Sequence, residues 1–107
     1  MTILGKQLAD GQLPAAEGDL YACPADTRAF VKSISCTNTS AANTNTVTLY
    51  LKPTGGTSRR LVRVPLSSND QLYYLAPETL DTADAIRGEA TNAAEVDYVI
   101  SGAVEAT

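Results

Sequence analysis

The stretch TNTSAANTNTVTLYL, residues 37–51, decides the fold. Its first ten residues are small and uncharged, and in its last part Val47, Leu49 and Leu51 alternate with polar or aromatic neighbours. Strict alternation is typical of a half-buried β-strand, whereas Asn, Ser and Thr favour turns because their side chains hydrogen-bond nearby backbone. We therefore predict a strand at 47–52 that follows a polar hairpin tip, and we expect nothing in that tip to join the core.

The same pattern extends over the rest of the chain. Short apolar or alternating runs are separated by turn signals, and the segment ATNAAEVDYVIS, residues 90–101, repeats the order of a polar tip followed by a strand. The run RAFVKSISCTN, residues 28–38, breaks its alternation, which indicates a β-bulge near Lys32-Ser33 or a strand buried on both faces. PADT, residues 24–27, is predicted to close a tight hairpin. We read 76–84 as a loop, and the further strands are predicted at 19–23, 61–64, 71–75, 85–90 and 95–103.

These elements predict an all-β protein, an antiparallel β-sandwich of 7–8 short strands with either jelly-roll or immunoglobulin-like order. The length of 107 residues fits one domain. Residues 1–17 are predicted to form an extended N-terminal arm, with at most a short strand at 2–4, and residues 18–107 the sandwich. Leu49 and Tyr98 are expected in its core.

Charge is distributed unevenly along the chain. Residues 27–69 contain six basic and no acidic residues, whereas residues 70–107 contain eight acidic residues and one arginine, within a net charge of −4. Either basic and acidic strands interleave and pair across a sheet, or the molecule has surfaces of opposite sign suited to contacts between subunits.

Catalytic chemistry is not indicated. The chain has no histidine, its two cysteines are separated by twelve intervening residues, and PTGGTSRR at 53–60 lacks the lysine and the following helix of a phosphate loop. We therefore predict no enzyme, no cofactor and no metal. No membrane span or secretion signal is recognised, so we expect folding in a cytosol and free, buried Cys23 and Cys36.

Two binding functions receive less support. Nucleic-acid binding through Arg59, Arg60 and Arg63 is disfavoured because the chain is acidic and because Arg60 and Arg63 have opposite strand parity. A carbohydrate- or receptor-binding sandwich would usually need an aromatic platform, and only the adjacent Tyr73 and Tyr74, which point opposite ways in a strand, offer one.

Several short segments in order resemble small structural proteins of tailed phages and prophages. They are LGKQ (4–7), LPAA (13–16), LYACPA (20–25), VKSI (31–34), CTNTS (36–40), VTLYL (47–51) and ADAIRG (83–88). The resemblance implies a virion β-sandwich that folds in the host cytoplasm, namely a capsid cement (decoration) protein that contacts the major capsid protein, or alternatively a tail- or neck-associated protein.

The same resemblance favours a homotrimer. The thin core and the arm suggest that copies bury apolar surface against one another. Residues expected at protein interfaces are Ile3, Leu4, Leu8 and Leu13 in the arm, and Arg59, Arg60 and Arg63 in the basic segment.

Overall fold

The computed structural model describes residues 3–75 and 78–107, with side chains from Gln7 onward. Nine β-strands fill most of these residues, and the described chain contains no helix, hence none that could cross a membrane. In chain order the strands are β1 (Ile3–Gln12), β2 (Gly18–Ala22), β3 (Thr27–Asn38), β4 (Asn45–Lys52), β5 (Arg59–Leu66), β6 (Gln71–Tyr74), β7 (Glu78–Leu80), β8 (Ala85–Glu89) and β9 (Val96–Ala106).

The strands form two antiparallel sheets. Sheet A has the order β1-β9-β3-β6, with β7 also paired to β3, and sheet B has the order β2-β8-β4-β5. The chain forms one long antiparallel ribbon, in which β4 pairs with β5, β3 with β6 and β7, β2 with β8, and β1 with β9. The ribbon then folds over, so that β3 also pairs with β9 and β4 also pairs with β8. This winding is a jelly roll, so the predicted sandwich is confirmed and the immunoglobulin-like order is excluded.

The two sheets enclose one core. Val47, Leu49 and Ile86 from sheet B meet Ile34 and Ile100 from sheet A, and each is fully buried. Leu49 and Tyr98 lie in the core as predicted. The alternation of β4 thus has the expected cause, because successive side chains point to opposite faces of a strand.

A bulge in β3 explains its broken alternation. The pairing of β3 with β9 shifts register between Val31 and Ser33, so Val31 and Ile34 both face the core although three positions separate them. The bulge was one of the two interpretations of RAFVKSISCTN, and it is confirmed. Gly102 lies opposite, and a Cβ there would overlap the carbonyl oxygen of Phe30.

The connections were predicted less well. The segments at 24–26, 39–44 and 90–95 are not hairpin tips, since each joins a strand of one sheet to a strand of the other. The loop predicted at 76–84 contains β7, whose Leu80 is fully buried.

The predicted arm is extended, and much more of it than 2–4 is strand. Its residues Ile3–Gln12 form β1 and pair with β9 over nearly their full length, at the edge of sheet A. Residue 2 lies outside the described residues. The division into an arm at 1–17 and a sandwich at 18–107 stays a prediction.

Candidate interaction surfaces

The outer face of sheet B carries charge that changes sign from one edge to the other. One row across the four strands reads Asp19, Arg87, Tyr50 and Arg60, as fixed by the cross-strand register. The next row reads Glu89, Thr48 and Arg63. Since directly opposed residues share a face of the sheet, the acidic β2 edge is joined to the basic β5 edge through mixed strands.

The basic edge depends on a second bulge that the sequence did not reveal. The pairing of β4 with β5 shifts register between Leu49 and Tyr50, so that Leu61 is extra on β5. Arg60 therefore lies opposite Tyr50 and Arg63 opposite Thr48, and both arginines belong to the same outer face. The expectation of opposite faces for Arg60 and Arg63 is wrong, because parity counting fails across a bulge.

Salt bridges satisfy some charges but leave this basic edge without partners. Arg87 lies 2.7 Å from Glu17 and 2.8 Å from Asp19, and Arg28 lies 3.0 Å from Asp81. Interleaved pairing, one of the two expected arrangements, thus occurs at Arg87. Arg59, Arg60 and Arg63 are exposed and have no carboxylate within salt-bridge distance among the described residues.

A shallow cavity of about 200 Å³ lies on this face between Arg63 and Glu89. Thr46, Thr48 and Thr91 also line it. The Tyr50 hydroxyl donates a 3.0 Å hydrogen bond to Glu89, and burial, followed by this bond, raises the pKa of Tyr50. The Tyr50 phenol therefore stays neutral, and its hydrogen bond joins Glu89 of β8 to β4.

The outer face of sheet A is different in character. Its central row reads Tyr73, Ser35, Val99 and Asp10. Tyr73 and Val99 are exposed by 59% and 37%, and Leu75, just after β6, is exposed by 65%. Tyr74, in contrast, packs against the core, so the two adjacent tyrosines point opposite ways as expected and do not form one platform.

The residues predicted for an interface in the arm fall into three situations. Ile3 and Leu4 lie in β1, opposite Glu105 and Val104. Leu8 is half-buried against the core. Leu13 is exposed by only 1% and belongs to this chain's own core, so within the folded chain it presents no surface to a partner.

A buried asparagine network at one end of the sandwich was missed from the sequence. Asn38 and Asn45, which lie near the two ends of the polar run, are both fully buried. The Asn38 amide donates to the carbonyls of Asn43 at 2.8 Å and Leu66 at 2.9 Å, and its Oδ1 accepts from Asn45 at 3.2 Å. The expectation that nothing in this run joins the core is therefore wrong, because a side-chain amide can satisfy the backbone of crossing connections where water is excluded.

Glu95 extends this network toward the surface. Its carboxylate accepts hydrogen bonds from Asn45 at 3.0 Å and from Asn43 at 3.0 and 3.2 Å. These bonds, that from Asn45 first, lower the pKa of Glu95. The only hint in the sequence is the placement of Asn38 and Asn45 at the two strand ends that border an uncharged run.

The remaining titratable groups have structural roles. Asp84 accepts hydrogen bonds from Thr54 and from the Asp81 backbone, and its pKa is lowered, chiefly by the Thr54 backbone N–H. Cys23 and Cys36 are unpaired and buried, as predicted. Burial raises the pKa of Cys36 to about 12, so this thiol is protonated at neutral pH. No cluster of potential metal ligands occurs within residues 3–75 and 78–107.

Comparison with known proteins supports the fold. No protein family and no curated protein matches the chain by sequence. A solved structure described as Bacillus endospore appendages that form a novel family of disulfide-linked pili matches with a TM-score of 0.57 at 16% identity, over 98% of this chain and 88% of that one. At this low identity, the match shows a similar fold and nothing more.

Two structures of infectious bursal disease virus also match. One is a T13 viral particle with a TM-score of 0.46 and 8% identity, and the other is the Gx strain with a TM-score of 0.44 and 12% identity. Both cover 96% of this chain, which spans about a third of the length of each viral chain (29% and 32%).

Proposed function

We propose that this chain is a structural subunit of a virion, most specifically a capsid cement protein that attaches to the outer surface of a phage head. The observation that carries the proposal is the outer face of sheet A, where Tyr73 and Val99 stand exposed on either side of Ser35. Tyrosine-bearing surfaces with few central charges are typical of the buried centre of protein interfaces. The major capsid protein is the proposed partner of this face.

The shape of the domain supports layered contacts. It measures 47 × 27 × 19 Å. Its two broad faces differ in chemistry, because the central row of sheet A has Asp10 as its one charged residue, whereas the row across sheet B has three charged residues of both signs. A flat domain with two unlike faces can bind a capsid shell through one face, while its remaining surface contacts solvent or other subunits. The structure of the pilus-forming endospore appendage is similar to this fold, with a TM-score of 0.57, so the fold is compatible with repeated assembly.

Contacts between copies would be non-covalent. Cys23 is exposed by 3% and Cys36 not at all, so neither thiol is positioned to link two chains. The homotrimer predicted from the sequence resemblance belongs to this proposal, with β1 and the basic residues of β5 near the contacts.

The copy number per particle tests the proposal. Purified particles that contain the protein would be digested and quantified by mass spectrometry against the major capsid protein. Hundreds of copies support the cement function, whereas three to about twelve would assign the chain to the tail or neck. Absence from particles, together with binding of the isolated protein to glycans, would replace the proposal with the carbohydrate-binding alternative.

A matched pair of variants then tests the face. Val99→Lys should lower occupancy on particles, because it places a charge at the centre of the proposed contact. Ala41→Lys, at an exposed position in the connection between β3 and β4 at one end of the sandwich, should leave occupancy unchanged and serves as the control. Equal occupancy of both variants would exclude this face as the attachment surface.

A further inference from the structure

We infer that copies of this chain associate side to side and head to tail, with the β5/β6 side of one copy against the β1/β2 side of the next. The inference deepens the proposed function and rests on it, since it specifies how the structural subunits contact one another. It depends on the opposite charge of the two narrow sides of the sandwich.

The first narrow side is basic and partly apolar. β5 is the last strand of sheet B, β6 ends the strand path of sheet A, and the two are in contact. Residues 52–66 contain four basic and no acidic residues, and Arg59, Arg60 and Arg63 are exposed. Tyr73 and Leu75 add exposed apolar surface from β6 and the residue after it. Aromatic groups beside arginines are a combination enriched at protein interfaces.

The second narrow side is acidic. β1 and β2 end the other margins of the two sheets and contact each other. Residues 3–22, from the start of β1 to the end of β2, contain Asp10, Glu17 and Asp19 and one basic residue, Lys6. Arg87 is shared between Glu17 and Asp19, so one guanidinium serves two carboxylates and negative charge remains. The Asp19 side chain keeps 61% of its surface exposed despite this ion pair.

The charge pattern selects the head-to-tail arrangement. A two-fold contact between basic sides, or between acidic sides, would place like charges opposite each other, which costs free energy and slows association. A head-to-tail contact places arginines opposite carboxylates, and its repetition closes a ring or extends a row. A ring of three would agree with the proposed trimer.

Side chains, more than a continuous sheet, would form this contact. Pro65 lies in β5 and has no N–H to donate, and β2 shifts register between Asp19 and Tyr21. Both features interrupt the regular edge that a strand from another copy would need. The contact should therefore weaken with added salt.

Two charge-reversed variants test the inference. Arg59→Glu/Arg60→Glu reverses charges on the basic side, and Asp10→Lys/Asp19→Lys reverses charges on the acidic side. Lys32→Glu, on the inner strand β3, and Asp81→Lys, in the turn after β7, are the matched controls. Circular dichroism first establishes that each variant is folded. If a reversed variant does not fold, Arg59→Gln/Arg60→Gln or Asp10→Asn/Asp19→Asn replaces it.

Sedimentation velocity at low salt gives the decisive measurement. The wild type and both controls should form the same oligomer. For each side variant, the dissociation constant of the oligomer should be about 10- to 100-fold higher than for the wild type. An equimolar mixture of the two side variants retains one intact pair of sides, so it should regain the association that each variant lacks alone. Monomeric wild type, unaffected side variants, or a mixture that stays monomeric would each overturn the inference.

Particle occupancy separates this outcome from the proposed function. If the sedimentation result is negative but the protein still occurs in hundreds of copies per particle, the head-to-tail contact is wrong and the cement function stands. If the oligomer forms as expected but the protein is missing from particles, the proposed function fails and the contact between copies stands.

Discussion

Replacement of Asn38 by Ala should be among the most destabilising single changes outside the apolar core. Its amide nitrogen lies within hydrogen-bond distance of three carbonyls, those of Asn43, Leu66 and Ser67, so one of its two hydrogens is shared. Its Oδ1 accepts from the Ser40 backbone at 3.1 Å and from the neighbouring buried asparagine. Alanine removes all of these bonds where water does not enter, since Asn38 has no exposed surface.

The magnitude follows from what is left without a partner. Each lost bond contributes about 0.5–1.5 kcal/mol, and each buried polar group left unpaired costs about 1–3 kcal/mol. The Leu66 carbonyl bond is buried, and so is the bond from Asn45. We therefore expect Asn38→Ala to lower the free energy of unfolding by roughly 3–5 kcal/mol, a large part of the roughly 5–15 kcal/mol of a typical domain.

Urea denaturation followed by circular dichroism measures this change. Asn43→Ala is the matched control, because the same substitution there removes only bonds from an exposed amide to Glu95 and should cost less than about 1 kcal/mol. Asn38→Asp keeps the shape but replaces the donors with an acceptor, so it should destabilise at least as much as alanine. The reasoning fails if Asn38→Ala stays within about 1 kcal/mol of the control with an unchanged denaturant slope.

Three further predictions concern packing, pH and thiol reactivity. Gly102→Ala should strongly destabilise the fold or prevent folding, because the new methyl group would overlap the Phe30 carbonyl. The control Ala103→Gly, at the next residue, should lower the free energy of unfolding by only about 1 kcal/mol. Similar melting temperatures for the two variants would contradict the tight approach of β9 to β3. The pKa values of Glu95 and Asp84 are lowered in the folded chain, so both carboxylates stabilise the fold fully above their usual pKa values of 4.5 and 3.8. This stabilisation is lost as the pH falls through the lower pKa values of the folded chain. In thermal melts, Asp84→Asn should therefore reduce the fall in melting temperature at acid pH, and an unchanged pH profile would argue against this role of Asp84. Cys36 should not react with a thiol reagent in the native protein and should react fully in denaturant, since burial raises its pKa to about 12; rapid native labelling of Cys36, mapped by peptide mass spectrometry, would show that its site opens to solvent.

The alternation of apolar and polar residues along the sequence was the basis on which the strands were predicted. The alternation of Val47, Leu49 and Leu51 predicted both β4 and its buried face, and the broken alternation around Lys32 gave the bulge in β3 as one of two interpretations. These features depend only on the period of two residues that any strand imposes on its side chains. The composition of the chain, without histidine, likewise limited the chemistry to be considered.

Strand partners were decided only by the tertiary structure. A polar run between two strands reads the same whether the chain reverses within one sheet or crosses to the other, because the turn-forming residues satisfy local backbone in both cases. The run at 39–44 crosses, and only the pairing of β3 with β9 and of β4 with β5 and β8 shows this. The pairing of β1 with β9 joins the two ends of the chain, a distance over which periodicity gives no information.

The candidate surfaces divide in the same way. The sequence determined that basic residues cluster between 52 and 66 and acidic residues between 7 and 22. It did not determine that these segments lie on opposite narrow sides, that the bulge at Leu61 brings Arg60 and Arg63 to one face, or that Asn38 is buried. Composition and period are properties of neighbours in the chain, whereas register, burial and the side of a sheet are set by long-range packing, which only the folded structure specifies.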